Sequence, residues 1–228
     1  IKGLTMWIDT FSKGIEYTFS EALIKNRSEE GRLFVPKEFP IFKEHLSFSS
    51  LPELASFLFR PFFKEDILAP HLDGICERAF NFPIPIKKLD EKTDLLELFH
   101  GPTHAFKDIG ARFLAECVVK LNELENSKHN KLIIVATSGD TGAAVASAFH
   151  QKAFFKVLIL FPKGKISKRQ KEGLTRWGDN ILSFEIEGSF DDCQSLVKRL
   201  LEDHGVSEKV SLTSANSINV GRILPQTL

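Results

Sequence analysis

Three short apolar runs separated by longer amphipathic ones, between residues 131 and 204, leave this chain few folds to choose from. The first, Leu132-Ile133-Ile134-Val135-Ala136, has no polar position at all. A strand that is apolar on both sides of its pleat is buried on both faces, as in a parallel sheet covered by helices. Val157-Leu158-Ile159-Leu160 and Ile181-Leu182-Ser183-Phe184-Glu185-Ile186 repeat the signal. Helical periodicity fills the gaps at residues 141–151, 167–176 and 190–204. Strands alternating with helices predict an α/β fold, a parallel sheet flanked by helices with right-handed crossovers.

Upstream, residues 108–125 form a long helical pattern with Phe113, Leu114, Cys117, Val118 and Leu121 on its apolar face. Leu95-Leu96-Glu97-Leu98-Phe99 is strand-like. Residues 1–90 have a different rhythm. Ser20 is a possible cap for a short helix over 20–25, Leu33-Phe34-Val35-Pro36 is a strand stopped by proline, and 51–59 and 66–80 carry helical periodicity. Pro70 fits the first turn of its helix, and Phe82-Pro83-Ile84-Pro85 is an extended linker. The expected organisation is a mixed α/β extension over 1–90 and the α/β region proper over 91–228.

Composition excludes several function classes. Thirty basic and thirty acidic side chains cancel, which leaves no charge signature for nucleic acid or an anionic membrane. Cys76, Cys117 and Cys193 are odd in number and widely spaced, so they suit a reducing compartment rather than a disulfide framework. There is no C-x-x-C or H-E-x-x-H, so no metal is expected. No apolar run is long enough to span a bilayer, and no signal-peptide pattern opens the chain. Twenty-one phenylalanines against one tyrosine mark packing, since Phe mainly fills cores. The chain starts without methionine and is expected to be a fragment of a longer protein.

Three polar motifs stand out. Phe99-His100-Gly101-Pro102-Thr103-His104-Ala105-Phe106-Lys107-Asp108 places a lysine at a loop-to-helix junction. An amine held there is a candidate for covalent chemistry on a carbonyl, because burial and cationic neighbours lower a lysine pKa. A surface lysine followed by a helix-capping Asp108 is the ordinary reading of the same residues. His100 and His104 flank the lysine as candidate acid-base or phosphate-contacting groups; His104 is expected to be a surface residue. The second motif, Ala136-Thr137-Ser138-Gly139-Asp140-Thr141-Gly142, joins an apolar strand to a helix. Helix N-termini at the carboxyl ends of strands attract carboxylates and phosphates, although a locally capped turn uses the same residue types. It is neither a Walker A sequence nor G-x-G-x-x-G, so ATP and NAD are not supported. The third, Asn216-Ser217-Ile218-Asn219-Val220-Gly221-Arg222, ends in a guanidinium fork suited to phosphate; an asparagine-rich turn beside a surface arginine is the alternative.

In order and spacing the three motifs resemble those of threonine synthases, enzymes dependent on pyridoxal phosphate. Ser20-Glu21-Ala22-Leu23, Gly31-Arg32-Leu33-Phe34-Val35-Pro36 and Gly188-Ser189-Phe190-Asp191-Asp192 are also similar to that family, so the resemblance runs from about residue 18 onward. It implies fold type II of the pyridoxal-phosphate enzymes, as in the tryptophan synthase β subunit. It also implies conversion of O-phospho-L-homoserine and water to L-threonine and phosphate. By the same resemblance Lys107 is the catalytic residue that holds the cofactor and then moves protons, with Gly139 and Asp140 beside the cofactor. Thr137, Ser138 and Thr141 match the loop for the substrate carboxylate, and Asn216, Ser217 and Arg222 match positions that bind its phosphate. Lys163 and Lys165 are further candidates for the phosphate.

Glu30-Gly31-Arg32 departs from the family's usual Asp-Gly-Gly. The family's glycine-rich loop for the cofactor phosphate and its partner for the pyridine nitrogen have no counterpart in this chain, which is expected to hold part of the cofactor site. The resemblance further implies a cytoplasmic enzyme of amino-acid biosynthesis, monomeric or a small homo-oligomer, without nucleic-acid or membrane partners. A dehydratase-like lyase on the same fold and an inactive phosphate-ligand-binding relative are the competing readings.

Overall fold

The computed structural model describes all residues except 1–3, 12–13, 43–46, 204 and 206–210. Its main layer is a four-stranded, wholly parallel sheet in the order β8-β7-β6-β9. The strands are β6 (Lys131–Ala136), β7 (Phe155–Pro162), β8 (Ile181–Ile186) and β9 (Ser211–Ser214). Their connections are the helices α5 (Asp140–Phe149), α6 (Lys168–Thr175) and α7 (Phe190–Glu202), and α4 (Lys107–Leu124) precedes the sheet. The all-apolar runs form the central strands β6 and β7, where Ile133, Ile134, Val157 and Ile159 are at most 1% exposed. The last residue of the helix expected over 190–204 lies outside the described residues.

The amino-terminal part carries β1 (Trp7–Asp9), β2 (Glu16–Tyr17) and β3 (Phe34–Pro36) in a small antiparallel sheet, with α1 (Phe19–Lys25), α2 (Leu51–Phe59) and α3 (Leu72–Ala79). Three sequence expectations need correction. Ser20 does not cap α1; Thr18 does, in a capping box with Glu21. Ser20 is buried, its N–H and hydroxyl donating to the Asp66 carboxylate at 2.6 and 2.7 Å. The helix expected over 66–80 begins with Asp66 accepting from Leu68 N–H, passes through a 3₁₀ turn at Ala69–His71 that takes Pro70 in its first positions, and becomes α-helical only at Leu72. The strand expected at 95–99 is shorter. It is β5 (Asp94–Leu96), paired antiparallel with β4 (Ile86–Lys88) in a hairpin outside the parallel sheet.

Phenylalanine does the packing that its abundance implies. One cluster of buried apolar side chains runs from Trp7 and Phe19 through α2, α3 and α4 to Phe155 and Leu224. Phe113 of α4 is fully buried at its centre, with ring centroids 5.0 Å from Phe59, 5.8 Å from Phe80 and 6.2 Å from Phe19. These edge-to-face and stacked pairs add to the area term. Phe113→Ala is expected to cost about 3–5 kcal/mol, read as a lower urea midpoint at unchanged slope.

Candidate active site

The chain steps outward from β6 to β7 to β8 and then returns to the other side of β6 as β9. At such a switch in strand order the loops leaving the carboxyl ends of neighbouring strands open a crevice. The loop after β6 holds residues 137–140 and the loop after β9 holds 215–219, so the fold brings the second and third motifs side by side.

Thr137 is buried and its hydroxyl is used within the loop. It accepts from the N–H groups of Gly139 and Gly142, each at 3.0 Å, and lies 3.2 Å from the Gly139 carbonyl. Thr137 therefore shapes the turn. Gly139 N-caps α5 at φ +150°, a conformation open to glycine and strained for other residues. Ser138 is exposed and Thr141 half-buried. The Asp140 side chain is 55% exposed at the first residue of α5.

Lys107 opens α4, and its Nζ lies 3.8 Å from Asp140 Oδ2 and 4.3 Å from the centre of the Phe106 ring. The structure gives this amine a carboxylate and an aromatic face. Asp108 does not cap α4. It is 1% exposed, and Thr103 N–H and hydroxyl donate to its two oxygens at 2.8 and 2.7 Å. Burial pushes its carboxyl up, and the two Thr103 donors pull the other way. A Cβ at Gly101 would sit 2.5 Å from Asp108 Oδ2, so the turn closes on the carboxylate only because residue 101 has no side chain. His104 has φ +59° and places Nδ1 3.1 Å from the Phe99 carbonyl, while His100 Nε2 meets Glu97 Oε2 at 2.7 Å.

The third motif folds back on itself and on α1. Its helix is α8 (Val220–Ile223), capped by Asn219, whose Oδ1 accepts from Gly221 N–H at 2.9 Å. Asn219 Nδ2 donates to the Leu23 carbonyl at 2.9 Å. Asn216 Oδ1 accepts from Ile218 N–H at 3.2 Å, and Ser217 is exposed. Arg222 is 5% exposed, and Nη1 donates to the Ala215 carbonyl at 2.8 Å. Its Nε is buried without an acceptor, and among the described residues no carboxylate pairs with it. Burial alone pushes its pKa down. The guanidinium lies against α4, where a Cβ at Gly110 would be 3.0 Å from Arg222 Nε.

A cleft of about 510 Å³ opens at Asp140, lined by Thr103, His104, Gly139, Asp140, Gln170 and Arg176 among others; Lys107, Thr137, Ser138 and Thr141 are not among its lining residues. Asn216, Ser217 and Arg222 do not line it. Lys163 pairs with Glu187. The sequence reading passed over Gln170, although Ser167 and Gln170 have the spacing of a capping box, and over the latch between Thr103 and Asp108. Asp108→Ala is expected to cost about 1–3 kcal/mol by leaving Thr103 N–H without its acceptor. It should also speed hydrogen exchange at that amide, measured site by site by NMR.

Comparison with known proteins places these features. A family model for pyridoxal-phosphate dependent enzymes matches residues 85–220, and one for the threonine synthase N terminus matches residues 6–80. The threonine synthase of Buchnera aphidicola subsp. Acyrthosiphon pisum is 41% identical over 221 residues, covering 92% of this chain and 50% of the relative. That of Escherichia coli K12 is 39% identical over 216 residues, covering 92% and 49%. Among solved structures, pyridoxal-phosphate-bound threonine synthase from Brucella melitensis is similar with a TM-score of 0.87 at 33% identity, covering 97% of this chain and 50% of that one. The yeast threonine synthase gives 0.85 at 30%, covering 98% and 48%. The chain thus spans about half the length of the curated relatives it matches.

Proposed function

Because the chain belongs to the pyridoxal-phosphate-dependent enzymes, we propose that it carries the lysine-bearing part of a threonine synthase, acting on O-phospho-L-homoserine in threonine biosynthesis. One observation carries the reading. Lys107 and Asp140, from two separate motifs, meet at the carboxyl end of β6 with Nζ and Oδ2 3.8 Å apart. In this reading residues 1–90 are an extension that packs against the α/β region of 91–228, and the protein works in the cytoplasm as a monomer or small homo-oligomer.

The described residues fit the cofactor's carbonyl end and an anionic ligand. Lys107 supplies an amine on a half-buried side chain. Arg222 supplies a buried guanidinium with no acid beside it among the described residues, a state that costs several kcal/mol unless an anion joins it. Pyridoxal phosphate, when bound, supplies an electron sink for charge developing on substrate carbon. The chain's own residues do the rest. Lys107 holds the cofactor and afterwards moves protons at the substrate's α and β carbons. Gly139 lets the backbone approach closely, and Asp140 orients the lysine. Thr137 holds the turn open, while Ser138, Thr141 and the N-terminus of α5 receive the substrate carboxylate. Asn216, Ser217 and Arg222 take the phosphate that leaves, which requires the guanidinium to turn out from under Gly110.

Borohydride treatment of the chain mixed with pyridoxal phosphate, followed by peptide mass mapping, tests the lysine. The stable adduct is expected on Lys107 and is expected to be lost in Lys107→Ala; an adduct confined to other lysines overturns the assignment. For the anion, Arg222→Met should leave stability in phosphate-free buffer unchanged or raise it by about 1 kcal/mol, since an apolar side chain replaces an uncompensated charge. The same variant should lose the rise in melting temperature that inorganic phosphate gives the unsubstituted chain.

A further inference from the structure

The capping box at the start of α6 reaches beyond its own helix. Ser167 N–H donates to Gln170 Oε1 at 3.0 Å, and Gln170 N–H donates to Ser167 Oγ at 3.2 Å. With its oxygen held this way, the Gln170 amide lies across the turn that follows β6. A Cβ at Gly139 would be 2.5 Å from Gln170 Nε2, 2.8 Å from Cδ and 2.9 Å from Cγ. One helical turn further on, the fully buried Leu174 approaches Gly142, where a Cβ would lie 2.7 Å from its Cδ2. The first turn of α5 is therefore buttressed by α6, and Gln170 presses on the residue immediately before Asp140.

Asp140 needs such support. Its carboxylate is more than half exposed, and among the described residues Lys107 is its one ion-pair partner. Its placement relative to the amine depends on the backbone of Gly139. A glycine at φ +150° enters that conformation without steric cost and leaves it as easily. Thr137 Oγ1 holds the turn from the inside, through Gly139 N–H and Gly142 N–H. Gln170 is the side chain that closes on it from the cleft side.

We infer that Gln170 is a positioning residue: by packing on Gly139 it fixes Asp140 against Lys107 and so sets the reactivity of that amine. The proposal deepens the reading of Lys107 as the cofactor lysine and rests on it for its functional meaning. The test needs no cofactor. The chain is labelled with a trace of acetic anhydride, and the rate at Lys107 is divided by the rate at the exposed Lys87, both read by peptide mass mapping. In Gln170→Ala the ratio is expected to rise at least about twofold, because a carboxylate that drifts away leaves the amine without its ion-pair partner and open to the reagent. In Gln170→Met, which keeps bulk over Gly139 but loses the cap, the ratio should stay at the unsubstituted value. An unchanged or lower ratio in Gln170→Ala, even with a lowered melting temperature, would overturn the proposal and leave Gln170 as a cap of α6. An equal rise in both variants would overturn it as well, by assigning the effect to the cap. Should Gln170→Ala not fold, Gln170→Asn draws the amide back by one methylene and reads the same contact. Borohydride trapping at a lysine other than Lys107 would remove the functional reading while leaving the labelling result intact, so the two fail separately.

Discussion

Strand β6 is hydrogen-bonded along both edges, to β7 from Lys131 to Ala136 and to β9 from Lys131 to Ile134. Everything else at the site depends on this double pairing. A strand paired on both sides and apolar at every central position cannot slip its register without unpairing backbone groups in a dry interior, where each costs about 1–3 kcal/mol. The parallel direction of both pairings sends the next loops to the same end of the sheet. Reversing β9 would put residues 137–140 and 215–219 at opposite ends of the sheet. The fold is that of the type II pyridoxal-phosphate enzymes.

The second constraint is close approach between helices. Gly110 lets α4 lie directly on the backbone and guanidinium of Arg222. Gly221 does the same between α8 and α1, where a Cβ would come 2.4 Å from Leu23 Cδ1. Together with the bond from Asn219 to the Leu23 carbonyl, these contacts clamp the third motif between the amino-terminal helix and the helix that starts at Lys107. The amino-terminal region thus fixes the position of Arg222 through packing without contributing a polar group to the cleft.

The sequence was legible where one physical signal dominated. Continuous apolar runs marked β6 and β7, and the spacing of Phe113, Leu114, Cys117, Val118 and Leu121 marked α4; four of these are buried and Val118 is half-buried. The three motifs were visible as motifs, because polar residues between apolar elements have few reasons to be there. What those residues do was less legible, since one residue type serves several local purposes. Thr137 is a good anion ligand in the abstract, yet its hydroxyl is used on Gly139 and Gly142. Asp108 has the chemistry of a cap, but it sits one residue inside α4 and turns back to Thr103. Ser20 was a plausible cap until Thr18, two residues earlier, provided a complete box and left Ser20 to Asp66. Only for Ser20 is the competing partner, Asp66, distant in sequence; Gly139, Gly142 and Thr103 are close by, and the turn geometry decides which pairing wins.

Arg222 shows why a buried charge can be both a defect and a device. A guanidinium has five donors, and here Nη1 has found a carbonyl while Nε has none. Its burial without an acid works against folding, and a side chain selected for stability alone would be apolar. Keeping a cation there is consistent with a site that gains stability only when an anion arrives. Ala215, Gly110 and Asn219 fix the backbone around Arg222. The Lys107 side of the crevice has the opposite character. Its charges are paired and half-solvated, and its geometry is held by a turn of low intrinsic stiffness. The crevice thus joins one stiff, uncompensated half to one paired, adjustable half.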